Sequence, residues 1–248
     1  MSNTKNKTKA KQRRKPVIGI IAKHPIVLCD NCAYRGSSTY IFDNVAGAVF
    51  DNGGMPIALL PVDTDKGIHA RDELFAPIDY DLDDIAKQRL IDSISLCDGI
   101  ILQGGRTNDH YELFVAKYCY DNDIPILGIC AGHQIMAHVH GGKTGRNDPK
   151  HFASLQDEFV HDIDIVKGTM FCKLVGLDIL PVNSAHNFCV TEVPPGFRVT
   201  AMCANEDIEA MEAIDKSFYM SVQFHPECLY SKDVRINKIF KALVKACK

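Results

Sequence analysis

A cysteine between two glycines, placed at the end of an apolar run, is the most reactive arrangement in this 248-residue chain. In Pro125-Ile-Leu-Gly-Ile-Cys130-Ala-Gly-His-Gln134, Pro125 to Ile129 reads as a buried strand and Ala131 to His140 as a helix that Gly141-Gly142 closes. Such a strand-to-helix turn is a nucleophile elbow: it presents one side chain at the sheet edge, and Gly128 and Gly132 leave room for backbone and helix to pass closely. A thiol there lies at the positive end of the helix, which favours the nucleophilic thiolate. A second segment, Phe218-Tyr-Met-Ser-Val-Gln-Phe-His225-Pro-Glu227, reads as a strand ending in His-Pro-Glu. On extended backbone, side chains at i and i+2 point the same way, so Glu227 lies beside His225 and fixes its tautomer. Pro226 cannot donate to a ladder and marks the strand's end. Thiolate, imidazole and carboxylate supply a nucleophile, a general acid and base, and an orienting group for acyl transfer.

The elements that must position these groups follow from the apolar pattern. Runs at Val17 to Ile21, Pro56 to Leu60, Gly99 to Leu102, Pro125 to Ile129, Val160 to Val166, Phe188 to Val193, Arg198 to Ala204 and Tyr219 to Phe224 read as strands. Helices fill the gaps in the first half. Ser37-Ser38 caps one from Thr39 to Asn52, closed by Gly53-Gly54; Asp83-Asp84 starts one to Leu96; Asn108 starts one to Tyr120; and Ser231 to Lys248 is a terminal amphipathic helix. This alternation predicts an α/β fold, with a mostly parallel central sheet, helices on both faces and a strand-rich second half. Ligands in such sheets sit beyond the carboxyl ends of the strands, where Gly104-Gly105 and Cys130 fall.

At 46% hydrophobic residues the chain can bury a large core, and it reads as a single domain over residues 16–248. Residues 1–15 hold seven of the 28 Lys and Arg and no acid, leaving 21 basic against 31 acidic residues over the remainder. That segment is expected to be a disordered basic tail, with nonspecific contact to nucleic acid or anionic lipid as its functional alternative. No run of about 18 apolar residues and no apolar signal-peptide region is present, so the expectation is a cytoplasmic protein with reduced thiols and no membrane partner. Cys29-Asp-Asn-Cys32 has zinc or redox spacing but no second pair, and reads as a loop with two thiols. His138 and His140 lack an acidic partner at ligand spacing and read as packed or solvated. The glycine pairs form no phosphate loop. No metal and no cofactor are expected.

Gly128-Ile-Cys130-Ala-Gly132-His-Gln134 together with His225-Pro-Glu227 resembles the class I glutamine amidotransferase superfamily, whose flavodoxin-like members carry a Cys-His-Glu triad in that chain order. An α/β-hydrolase would place its acid before the histidine. Asp98-Gly-Ile-Ile-Leu-Gln-Gly104-Gly105 resembles the strand and glycine loop that give half of the oxyanion hole. Val182-Asn-Ser-Ala-His186 resembles a substrate-side segment, and Asp207-Ile-Glu209-Ala the "IEA" strand. These last two are similar to the free-standing γ-glutamyl hydrolases typified by γ-glutamyl-γ-aminobutyrate hydrolase. The resemblance runs from Val17 to the C-terminus.

It implies a cysteine hydrolase that cleaves γ-glutamyl amides of small molecules through a thioester on Cys130. Cys130, His225 and Glu227 are then the catalytic residues, Gly105 and Ala131 the oxyanion donors, and Gly104, Gln134, Asn183, Ser184 and His186 the substrate-binding residues. A homodimer is compatible with it. The alternative is a glutaminase subunit that feeds ammonia to a separate synthase, and a third reading is a non-catalytic module recruited by the basic tail. Two segments depart from the family: Pro61 to Asp98 is longer and acidic, suggesting an inserted loop plus a helix, and Arg106-Thr-Asn-Asp-His-Tyr111 replaces an acidic residue and proline before the tyrosine. Both bear on the rim of the site and the leaving group.

Overall fold

The computed structural model describes residues 14–23, 39–61, 82–105, 110–146 and 158–247. Its parallel strands are short and apolar throughout. They are β1 (Val17–Ile21), β2 (Met55–Leu59), β3 (Gly99–Leu102), β4 (Ile126–Ile129) and, late in the chain, β11 (Tyr219–Val222). Continuous apolar runs of this kind suit strands covered on both faces. The antiparallel strands are β5 (Lys143–Arg146), β6 (His161–Ile165), β7 (Ile179–Val182), β8 (Phe188–Glu192), β9 (Phe197–Cys203) and β10 (Ile208–Ala213). All eleven belong to one sheet, ordered β2-β1-β3-β4-β11-β10-β9-β6-β7, with β8 on β10 and β5 on β8. From β2 to β11 every pairing is parallel, and from β11 to β7 every pairing is antiparallel. The strand-rich second half is thus an antiparallel extension of the parallel half.

Helices cover both faces. Helices α1 (Asp43–Asp51), α5 (Met170–Val175) and α6 (Val234–Ala246) pack on one, and α2 (Asp84–Ile94), α3 (His110–Asp121) and α4 (Ala131–Val139) on the other. The strands serve both cores by alternation. Ile101, Leu127, Ile129, Met220 and Val222 join the first, whereas Ile100, Leu102, Ile126 and Tyr219 join the second. Each such aliphatic side chain removed from water contributes about 1.5–3 kcal/mol before chain entropy is counted.

Several boundaries differ from the sequence expectation for identifiable reasons. The helix expected from Thr39 begins only at Asp43 because Tyr40 bridges to Lys23 and Phe42 N–H donates to the Gln103 side chain, which holds this stretch extended. The expected cap Ser37-Ser38 lies outside the described residues. Asp83 does cap α2, accepting from Ala86 N–H at 2.7 Å, and Asp233 caps α6, which starts at Val234 rather than Ser231. Strand β5 was not legible, since Lys143-Thr-Gly-Arg146 has no apolar pattern, and strand β7 and helix α5 are also additions to the expected elements. Asn108 and most of the 63–97 insertion lie outside the described residues, apart from α2. Arg14, from the basic segment, ion-pairs with Asp98 at 2.7 Å. Among the described residues no helix is long and apolar enough to cross a membrane.

This topology sets three chain ends side by side. Strands β3, β4 and β11 are parallel neighbours, so Gly104 after β3, Cys130 after β4 and His225 beyond β11 emerge at the same carboxyl edge.

Candidate active site

Cys130 occupies the turn between β4 and α4 with φ 51° and ψ −103°, a conformation rare for a side chain larger than glycine. Neighbours over-determine it: Cys130 N–H donates to Val222 O at 2.9 Å, and Gln134 N–H donates to Cys130 O at 3.2 Å. The flanking glycines are required by close approach. A Cβ on Gly132 would run into the Leu102 carbonyl, and one on Gly128 would lie 2.8 Å from Gly132 O. Cys130 is the N-cap of α4, and Ala131 is its first residue. The first N–H groups of a helix have no intrahelical acceptor, so Ala131 N–H is available to an oxyanion.

His225 Nδ1 is 2.7 Å from Glu227 Oε1, and both residues are almost completely buried. The geometry of that contact differs from the expected one. Strand β11 ends at Val222, and Pro226–Cys228 forms a 3-10 turn, so the carboxylate reaches the ring by a turn and not along extended backbone. With Nδ1–H donated to Glu227, the second ring nitrogen is left for the thiol, and the ring and the Cys130 side chain both border Gly104. Burial alone would lower the imidazole value, but the Glu227 carboxylate and Cys130 outweigh it and hold His225 well above its ordinary 6.5.

Gly104 lies against both groups. A Cβ there would be 2.7 Å from His225 Cε1 and 3.4 Å from Cys130 Cβ. Gly105 follows at φ +150°, and a Cβ on it would fall 2.5 Å from Lys23 Cδ. Sequence reasoning missed the residue that holds this turn. Gln103, fully buried, donates to Ile21 O at 3.0 Å and Tyr40 O at 3.1 Å and accepts from Phe42 N–H at 2.9 Å.

The expected substrate-side residues divide. Asn183 turns to the histidine: its Nδ2 donates to His225 O at 2.9 Å, and its Oδ1 accepts from His225 N–H at 2.8 Å. It therefore holds His225. Gln134 spends its amide nitrogen on Phe188 O (2.8 Å) and Gln223 Oε1 (3.1 Å). His186 Nδ1 also meets Phe188 O, at 3.1 Å, and its Nε2 lies 3.7 Å from buried Glu209. Ser184 is fully buried between Asn183 and His186 in the chain. Gln134 and His186 are thus joined through one carbonyl.

Behind the elbow, His133 bridges Ser221 Oγ (2.8 Å) and Ile208 O (3.1 Å), and burial pushes its imidazole down to about 4. The neutral ring pins α4 to β10 and β11. His140 packs among Tyr120, Phe197 and Tyr219, in line with a packed role. Among the described residues no cluster of His, Cys, Asp and Glu suits a metal. Cys29, Cys32 and Arg106 to Asp109 lie outside the described residues.

A Peptidase C26 family model matches residues 105–227, a span that opens on the glycine turn and closes on Glu227. One subunit of the glutamine-hydrolyzing GMP synthase of Methanosphaera stadtmanae is 37% identical over 153 residues, covering 60% of this chain and 74% of the relative. A glutamine amidotransferase-like protein of Rickettsia prowazekii is 26% identical, with 95% of this chain and 99% of the relative aligned. Among solved structures, a GMP synthase subunit protein of Thermoplasma acidophilum superposes with a TM-score of 0.63 at 18% identity, over 95% of this chain and 96% of the other, a likeness of fold.

Proposed function

This chain belongs to the class I glutamine amidotransferase-like superfamily, in its Peptidase C26 group, and on that footing we propose that it is a cysteine glutaminase whose ammonia is used by a synthase on a separate chain. The observation that carries the chemistry is the convergence of Cys130 and the Glu227-paired His225 on Gly104 at the shared edge of β4 and β11. The Cys130 sulfur attacks the side-chain carbonyl carbon of the substrate. Ala131 and Gly105 N–H groups receive the oxyanion, a contribution of about 3 kcal/mol per donor. His225, protonated beside Glu227, gives its proton to the departing nitrogen, so the C–N bond breaks and a γ-glutamyl thioester remains. The neutral ring then takes a proton from water as the water attacks, and the thioester opens to glutamate and free Cys130.

The partner-dependent reading is supported by the relatives, several of which are named as single subunits of glutamine-hydrolyzing GMP synthases. These names weigh against the γ-glutamyl-γ-aminobutyrate hydrolase type expected from the Asn-Ser-Ala-His and Ile-Glu-Ala segments. A free-standing γ-glutamyl hydrolase remains the second reading because those two segments meet beside the site, where His186 approaches Glu209 and shares Phe188 O with Gln134. The purified chain, assayed on glutamine and on γ-glutamyl amines with and without the synthetase chain of a GMP synthase, tests both. Glutamine hydrolysis stimulated by the synthetase chain supports the proposal, whereas strong hydrolysis of γ-glutamyl amines by the chain alone replaces it with the second reading. Wild-type turnover in Cys130→Ala would remove both.

A further inference from the structure

A charged pair with no contact to water lies directly beneath the glycine turn. Lys23, just beyond β1, and Glu112, in the first turn of α3, have side chains at 0% exposure, and Lys23 Nζ is 2.9 Å from Glu112 Oε1 and 3.1 Å from Oε2. Removing two charges from water is costly and is seldom repaid by stability alone, so such a pair invites a search for what its geometry fixes. What it fixes lies between its two ends. Lys23 follows β1, the strand beside β3; Glu112 lies in the first turn of the helix that follows β3; and Gly105 sits on the chain between β3 and that helix.

The contacts on Gly105 are tight. A Cβ there would meet Lys23 Cδ at 2.5 Å, the Tyr40 hydroxyl at 2.9 Å and Lys23 Cε at 3.2 Å, so the lysine stem is pressed against the glycine Cα. Both sides of this box are anchored. Lys23 and Tyr40 exchange backbone hydrogen bonds at 3.0 and 2.9 Å, and the Tyr111 hydroxyl, next to Glu112, donates to Ala22 O at 2.7 Å. A glycine at φ +150° would otherwise have wide rotational freedom.

We propose that the buried Lys23–Glu112 ion pair is a positioning element that sets the orientation of the Gly105 peptide, so that its N–H faces the oxyanion formed at Cys130; the catalytic part of this inference rests on the thioester mechanism above. Lys23 acts through Gly105 and touches no substrate. Stretched between β1 and α3, its stem is a rigid floor that a neutral, shorter or differently held side chain does not reproduce.

The test uses the double variant Lys23→Met/Glu112→Leu, which removes both charges at similar volume and so avoids stranding one of them. Two readouts are taken on protein shown to be folded by thermal melting. Amide hydrogen exchange at Gly105 reports on the turn whatever the enzyme does, and is expected to accelerate at least about tenfold, with Ile101 in β3 unchanged. Glutamine hydrolysis is expected to lose about 30- to 100-fold in kcat with KM within about threefold, the range for a displaced oxyanion donor. Lys23→Arg should recover part of it. Gly105 exchange and kcat both within about threefold of wild type would overturn the inference. Should the wild-type chain show no Cys130-dependent hydrolysis, the functional reading fails by that result, and Gly105 exchange still decides whether the pair holds the turn.

Discussion

The side-chain amide of Asn183 closes a ring of two hydrogen bonds on the main chain of His225, at 2.9 Å from Nδ2 to His225 O and 2.8 Å from His225 N to Oδ1. A residue 42 positions away thereby sets where the imidazole leaves the sheet edge. Asn183→Ala leaves a buried donor and acceptor unpaired, at about 1–3 kcal/mol each. The expected outcome is a lowered Tm together with a kcat loss of about 10- to 100-fold at nearly constant KM, read by calorimetry and steady-state kinetics. Unchanged kcat in folded Asn183→Ala would show that His225 needs no such support.

Gly104→Ala tests the packing at the other side of the ring. The added methyl would meet His225 Cε1 at 2.7 Å, and the ring must turn away from Cys130 to admit it. Turnover should fall at least about 100-fold while the melting temperature changes little, because the group displaced is one ring that can rotate and no backbone has to move. Full activity in Gly104→Ala would place the working histidine elsewhere.

Glu227→Gln addresses the charge on His225. Burial opposes the imidazolium, and the Glu227 carboxylate and Cys130 more than offset it, which holds the ring well above its ordinary 6.5. Because the folded value lies above the unfolded 6.5, the stability it contributes is complete below about pH 6.5 and is lost as pH rises through the folded value. In Glu227→Gln the burial effect is less opposed. The imidazole titration followed by NMR should move to lower pH, and acylation should slow more than substrate binding weakens. An unmoved titration would contradict the pairing.

His133 and His140 predict an acid-sensitive window. Burial, aided at His140 by Lys117, pushes each imidazole down to about 4. Folded values below the unfolded 6.5 mean that stability is complete above pH 6.5 and is lost as pH falls towards 4. For fully buried His133 the loss amounts to about 3 kcal/mol, and for the half-buried His140 to less. Urea melts from pH 7 to pH 4 should show a shallower decline in His133→Gln than in wild type, and parallel curves would refute the assignment.

The elements nearest the chemistry were the most legible. Strands β1 and β3, the elbow at Cys130 and the helix after it follow from local apolar runs and glycines, because a parallel strand covered on both faces leaves a continuous signature in the chain. Polar long-range partners left none. Nothing local marks Gln103 as the clamp on Tyr40 and Phe42, or Asn183 as the holder of His225, since these bonds join residues 63, 61 and 42 positions apart. The contact between His225 and Glu227 was anticipated, but its 3-10 geometry was not, because proline stops a strand without specifying what replaces it. Strand β5, bearing Lys143, Gly145 and Arg146, exists only by pairing with β8.

Thiol selectivity offers a further check. Burial pushes Cys97 up to about 11 and Cys189 and Cys247 up to about 12, with Asp207 adding to the effect at Cys189, and these thiols are inert near neutrality. Cys130, at a helix start beside the Glu227-paired imidazole of His225, should be carbamidomethylated ahead of them at pH 7, with glutamine slowing the reaction. Peptide mapping after a brief exposure to iodoacetamide reads the order.

The central claim is that Cys130 carries the acyl group, and a rapid-quench experiment tests it most directly. The purified chain is mixed with excess glutamine, stopped in acid within the first turnovers, and digested for mass spectrometry. The predicted result is one γ-glutamyl adduct, on the peptide that contains Cys130, lost on treatment with hydroxylamine and absent from Cys130→Ser. Glutamate released by the wild type with no adduct at Cys130, or by Cys130→Ser at the wild-type rate, would contradict the account.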